Sequence, residues 1–136
     1  MNVVRTFIVG AFALLFLAGC GPRAATIKGT ATFDGIPIEE GSISFLPEPG
    51  TESRKASAAI LQGAFEVPAE RGPMPGKFRI EISWVKKTGK KIASADPGMP
   101  DVDERIEAIP ARYNTESTLV REITPGDNKL EFALER

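Results

Sequence analysis

Between residues 77 and 85 the chain sets Phe78, Ile80, Ile82 and Trp84 on one side of an extended backbone. Lys77, Arg79, Glu81 and Ser83 take the other side. Alternation with period two over this length marks a strand with one buried face. It belongs at the centre of a core, and the rest of the chain must cover its apolar side.

The flanking sequence reads as more short strands, punctuated by Gly and Pro. Ile27, Ala31 and Phe33 alternate with Lys28, Thr30 and Thr32, and Asp34-Gly35 marks a tight turn. A brief extended piece, Ile36-Pro37-Ile38, leads through Glu40-Gly41 into a strand over residues 42–46. That strand stops at Pro47, which cannot donate to a central ladder. Residues 55–61 and 64–67 flank Gln62-Gly63 as a hairpin with Phe65 and Val67 inward. Residues 68–76 are loop by composition.

From 86 to 104 the pattern dissolves into lysines, acids, Gly and Pro, which predicts a long connection, either functional or mobile. Order returns over 109–113 and 119–123. Pro125-Gly126-Asp127-Asn128 makes the last turn, and Leu130, Phe132 and Leu134 alternate through the closing strand. Seven to eight short strands without an amphipathic helix predict an all-β chain, folded as a two-sheet sandwich.

Composition narrows the chemistry. The chain has no histidine, one cysteine and a formal net charge of −1. Ser-His-Asp and Cys-His triads are therefore excluded, as is the commonest metal ligand. No internal disulfide can form, and no basic stripe suggests nucleic acid.

At the N-terminus Arg5 precedes an apolar run over residues 7–18, and the composition turns polar at Gly21-Pro22-Arg23. These are the parts of a secretory signal peptide. The run is shorter than the roughly 20 residues that a membrane span needs. Its last residues, Leu17-Ala18-Gly19-Cys20, resemble the lipobox of bacterial lipoproteins. The resemblance implies cleavage before Cys20, with acyl chains on its thiol and on the new amino terminus. More than one chain gives stable anchoring where a single chain does not. The expected organisation is a signal peptide over 1–19, a lipidated cysteine and short tether over 20–25, and one domain over 26–136.

Three further stretches resemble a known family. Residues 27–38, Ile-Lys-Gly-Thr-Ala-Thr-Phe-Asp-Gly-Ile-Pro-Ile, are similar to the opening of transthyretin-like, carboxypeptidase-regulatory-like domains. Gly76-Lys77-Phe78-Arg79-Ile80-Glu81-Ile82 resembles a strand of the same domains, with Phe78 where Tyr is usual. Residues 109–119, Ile-Pro-Ala-Arg-Tyr-Asn-Thr-Glu-Ser-Thr-Leu, are similar to a segment of small lipoproteins of planctomycete-type bacteria. The resemblance implies a single prealbumin-like sandwich of about seven strands, with no established activity. The hydroxyisourate hydrolases of the wider family rely on histidines that this chain lacks.

Tyr113, Asn114, Glu116 and Ser117 form the candidate surface site. Read functionally, they are a polar rim with Tyr113 as a stacking face; read structurally, they are a turn whose side chains bond nearby backbone. Asp96, Asp101, Asp103 and Glu104 match no calcium-loop spacing. Lys86, Lys87, Lys90 and Lys91 suit either an anionic surface or solvent. Glu66, Glu70, Glu81 and Glu107 are carboxylates that nothing in the sequence pairs for glycoside hydrolysis. No catalytic residue, metal or cofactor is expected.

The sequence thus points to an exported, membrane-anchored lipoprotein of the cell membrane or outer membrane, its non-catalytic domain facing the periplasm or cell surface. The expected partners are the membrane, through the lipid, and an envelope protein or polysaccharide, not nucleic acid. A carbohydrate-binding module or an accessory subunit of an envelope complex is the alternative, and a hydrolase stands behind both.

Overall fold

The computed structural model describes residues 23–136. These residues form ten strands: β1 Thr26–Phe33, β2 Ile36–Pro37, β3 Glu40–Pro47, β4 Ala56–Leu61, β5 Ala64–Val67, β6 Gly76–Ser83, β7 Val85–Ile92, β8 Val102–Glu107, β9 Val120–Ile123 and β10 Asp127–Leu134. A single 3-10 turn, Ala111–Tyr113, interrupts them. The protein is all-β, as its alternation predicts.

Eight strands make one sheet in the order β10-β1-β5-β4-β3-β6-β9, with β2 added beside β1; β7 and β8 pair only with each other. The two reversals that the sequence marks are two-residue turns. Asp34 and Gly35 have φ of 49° and 78°, and Gln62 and Gly63 have φ of 50° and 80°. Positive φ at both central positions is the hairpin geometry that follows the natural strand twist.

The sheet is curled, and its connectivity explains why. Laid flat, seven strands would set β9 and β10 about 29 Å apart, at about 4.8 Å per spacing. Only residues 124–126 join them, a reach of about 14 Å. The edges therefore fold toward each other, and the Arg121 guanidinium on β9 lies 5.4 Å from the Phe132 ring centre on β10.

The concave side receives the alternating apolar residues. Phe45, Phe78, Ile43, Ile80 and Ile82 are fully buried, and Phe65 bridges Phe45 and Phe132 with ring centres 6.3 and 6.0 Å away.

Strand directions define two poles. β1 runs parallel to β10 and antiparallel to β5, while β4, β3, β6 and β9 alternate in turn. The starts of β1 and β10 thus share one pole with the loops between β3 and β4 and between β5 and β6. The described chain enters there: Ala25 is buried, and its N–H donates to the Pro73 carbonyl at 2.9 Å. Packing is tight at this entry, since a Cβ on Gly72 would stand 1.8 Å from the Ala25 carbonyl oxygen. The opposite pole carries both tight turns, the 3-10 segment and the departure of β7.

The stretch from 86 to 104, which the sequence presents as a long connection, is mostly a two-stranded ribbon. Val85 pairs with Glu107, Lys86 with Ile106, Lys87 with Arg105, Lys91 with Asp103 and Ile92 with Val102. An irregularity between Lys87 and Lys91 adds two residues on β7, and Gly89 takes φ 82° within it. That bulge, together with four lysines on one strand, hides the alternation.

Candidate functional site

Most distinctive side chains of the molecule gather at the pole where the ribbon leaves the sheet. Glu107 secures the junction. Its Oε1 accepts the Trp84 N–H at 2.8 Å and the Ile109 N–H at 2.9 Å, and its Oε2 accepts the Ser83 hydroxyl. The Ala108 N–H adds a bond to the Trp84 carbonyl at 2.9 Å. One carboxylate therefore joins the end of β6, the base of the ribbon and the segment that follows it. Charge-assisted bonds of this kind are stronger than neutral ones.

Beyond Ile109 the chain turns, and the sequence-predicted site residues fall in that turn. The Asn114 amide Nδ2 donates to the Ile109 carbonyl at 3.1 Å, and its Oδ1 accepts the Thr115 N–H at 2.5 Å. Ser117 is buried; its hydroxyl donates to the Ile80 carbonyl at 2.5 Å and accepts the Leu119 N–H at 3.2 Å. Ser117 thus fastens the turn to the central strand and presents no polar group to solvent. Glu116 is exposed and bonds only through its backbone N–H, to the Ala111 carbonyl at 2.8 Å.

Tyr113 is half-buried. Arg112 lies 5.0 Å from its ring centre, and the phenol oxygen accepts the Glu135 N–H at 3.4 Å. The Arg112 guanidinium beside the phenol, with help from that backbone bond, holds the Tyr113 pKa below the usual tyrosine range. Asn114 and Ser117 act as turn fasteners, the structural use of such residues.

Beside this segment a groove of about 500 Å³ opens between the β1–β2 turn and the base of the ribbon. Ile36, Trp84, Lys86, Ile106 and Pro110 are among its walls. Ile36 and Ile106 are 58% and 53% exposed, whereas Trp84 is only 5% exposed. The Lys86 ammonium sits 4.1 Å from the Trp84 ring centre, a cation–π contact that closes over the indole. A larger groove, about 760 Å³, runs over the outer face of β10, β1 and β5 near the chain entry. Lys28 and Glu66 are already paired there at 3.0 Å, and Lys129, Asp127 and Glu70 are the other charged residues of its walls.

The other acidic residues lie apart. Asp103 pairs with Lys87 at 2.7 Å and Lys91 at 3.2 Å, and the Lys87 and Lys91 ammonium groups hold its carboxyl below the usual carboxylate range. Glu104 accepts the Thr88 hydroxyl at 2.5 Å, and Glu81 pairs with Arg79 at 3.3 Å. Among the described residues no three carboxylates converge as metal ligands would, and no helix is long and apolar enough to cross a membrane.

Sequence reasoning did not single out Ile36, Ile106 or the clamp formed by Glu107. The spacing of Val102, Glu104 and Ile106 is the signal that could have found the ribbon face. Leu17, Ala18, Gly19 and Cys20 lie outside the described residues. Compared with protein-family models, curated proteins and solved structures, the chain matches none.

Proposed function

We propose that the protein is an exported lipoprotein, anchored through acylated Cys20, whose non-catalytic domain presents a binding surface to the cell envelope. In this reading the curled sheet is a transthyretin-like β-sandwich, its two layers the two halves of the curled strand path. The Leu17-Ala18-Gly19-Cys20 motif supports the anchor. The separation of the poles carries the presentation. The chain enters at the pole holding Ala25, and the groove and ribbon stand at the other, about 26 Å away along an eight-residue strand. A tether at the first pole directs the second away from the bilayer. The non-catalytic reading draws on the lack of histidine and on carboxylates that serve as clamps and ion-pair partners.

The test is the intact mass and detergent partitioning of the native protein beside Cys20→Ser. The expected result is an acylated chain beginning at Cys20 that partitions with membranes, and a variant left unprocessed. A mature chain with a free thiol, or one cleaved elsewhere, would overturn the anchor.

A further inference from the structure

The chain enters its domain without slack. Ala25 is wholly buried, its N–H donates to the Pro73 carbonyl at 2.9 Å, and the Thr26 N–H donates to the Gly126 carbonyl at 2.9 Å. The tether therefore leaves between the 68–75 loop and the 124–126 turn, bonded on either side. Between Cys20 and Ala25 only Gly21-Pro22-Arg23-Ala24 intervene. Five residue steps span at most about 17 Å, whatever conformation they take.

That reach decides how the domain stands on a bilayer. Headgroups occupy about 5–7 Å on each side of a hydrocarbon core of about 30 Å. An acylated Cys20 at the core boundary leaves about 10 Å of tether beyond them. Standing on its ribbon pole, the domain would lift Ala25 by the length of the eight-residue β1, about 26 Å. The tether is too short for that. Lying on a flank would make it spend its reach in rounding one of the loops that hold it.

The entry pole offers a firm surface. Its two long loops, residues 48–55 and 68–75, are bonded to each other. Arg54 donates to the Glu70 carbonyl at 2.9 Å, and the Met74 N–H donates to the Ser53 hydroxyl at 2.9 Å. The Glu48 N–H and the Thr51 hydroxyl fix the first loop to the Lys77 carbonyl, at 2.9 and 3.1 Å. Pro49, Gly50, Glu52, Ala69 and Pro125 are exposed on this platform. Its loop charges balance, with Glu48, Glu52 and Glu70 against Arg54, Lys55 and Arg71. A surface without cationic excess gains no net attraction from anionic lipid.

We propose that this platform rests on the headgroups of the anchoring bilayer, held there by tether length and not by charge. The inference rests on the reading of Cys20 as acylated. It sets what the groove at the other pole can meet, since that groove stands about 26 Å above the headgroups of its own membrane.

Cys20 is the only cysteine and its thiol is taken by the lipid, so an added cysteine accepts a single label. Full-length acylated protein is reconstituted in vesicles containing a nickel-chelating lipid. Nitroxides are attached through Ala69→Cys on the platform, Ala59→Cys and Glu131→Cys on the flanks, and Ala95→Cys on the ribbon loop, all exposed positions. Lipid-borne nickel is expected to accelerate relaxation of the platform label and to leave the other three as in plain vesicles. The contrast is expected to persist in phosphatidylcholine and in high salt. Twelve Gly/Ser residues inserted after Arg23 add about 40 Å of reach and are expected to erase it.

Equal relaxation on the platform and a flank, a contrast that vanishes in phosphatidylcholine, or one that survives the longer tether would overturn the proposal. Flotation and intact mass of the same samples report the anchor. An acylated chain that floats with the vesicles yet gives one of these results loses the platform alone, whereas an unacylated chain loses both readings.

Discussion

β6 and β7 follow one another with only Trp84 between them, and each is eight residues long. In β6, Phe78, Ile80 and Ile82 are wholly buried; in β7 no residue is buried. β6 has strand neighbours on both sides, β3 and β9, whereas β7 has β8 alone. The same extended backbone thus serves first as the spine of a core and then as an arm. The difference lies in side-chain pattern. Strict alternation of large apolar residues demands a covering layer, while Lys86-Lys87-Thr88-Gly89-Lys90-Lys91 can live in water on both faces. Lysines and bulges are also the means by which proteins keep open strand edges from pairing indiscriminately.

The contrast is most sharply broken from the core side. Ile80→Ala is expected to cost about 2–5 kcal/mol, from lost burial and the cavity left behind. Chemical denaturation checks this, with Lys90→Ala as the paired control expected to stay within about 0.5 kcal/mol. A similar loss from both would mean that β7 is packed as β6 is.

The junction comes next. Glu107→Ala removes the acceptor for two backbone N–H groups and one hydroxyl. Exchange of the ribbon amides is expected to accelerate about tenfold or more, while amides between β3 and β6 keep their protection. Hydrogen exchange resolved by residue checks this; uniform acceleration across both regions would show that arm and core open as one unit.

The smallest effect is that of pH on the arm. Lys87 and Lys91 lower the pKa of Asp103, so its ion pairs contribute stability above the unfolded carboxyl value of about 3.9. That contribution is lost as pH falls through the lower, folded value. Acid titration is therefore expected to loosen the ribbon before it touches the core, and Asp103→Asn should remove the effect. Ribbon amide shifts followed by NMR across the acid range check the sign.

The legible parts of this fold are those written in local pattern. Phe78, Ile80, Ile82 and Trp84 show their common face directly, and Asp34-Gly35 and Gln62-Gly63 show their turns through residues that tolerate positive φ. The ribbon stayed hidden because neither of its faces is buried, so its strands carry no burial signal, and the bulge at Gly89 breaks the count. Its one regular strand, with Val102 and Ile106 two apart from Glu104, was too short to stand out against the surrounding charge.

At the candidate site, the turn over Tyr113 and Asn114 could be read from residue types. That Ser117 would meet the Ile80 carbonyl could not, since the contact joins residues 37 apart. The groove depends on four separate segments meeting at one pole, which no local pattern records.

The parallel pairing of β1 with β10 has a consequence for how the molecule assembles. Every pair in that ladder, from Thr26 with Asp127 to Phe33 with Leu134, joins residues 101 apart. Closing so large a loop carries an entropic cost before any contact compensates it, and sheets dominated by distant pairings fold slowly. Until β10 arrives, one edge of β1 stays open, and the inner surface lacks Phe132 and Leu134. The rate-limiting step is thus expected to be the meeting of the first and last strands, and this interval is when the chain is most exposed to chaperone capture or aggregation.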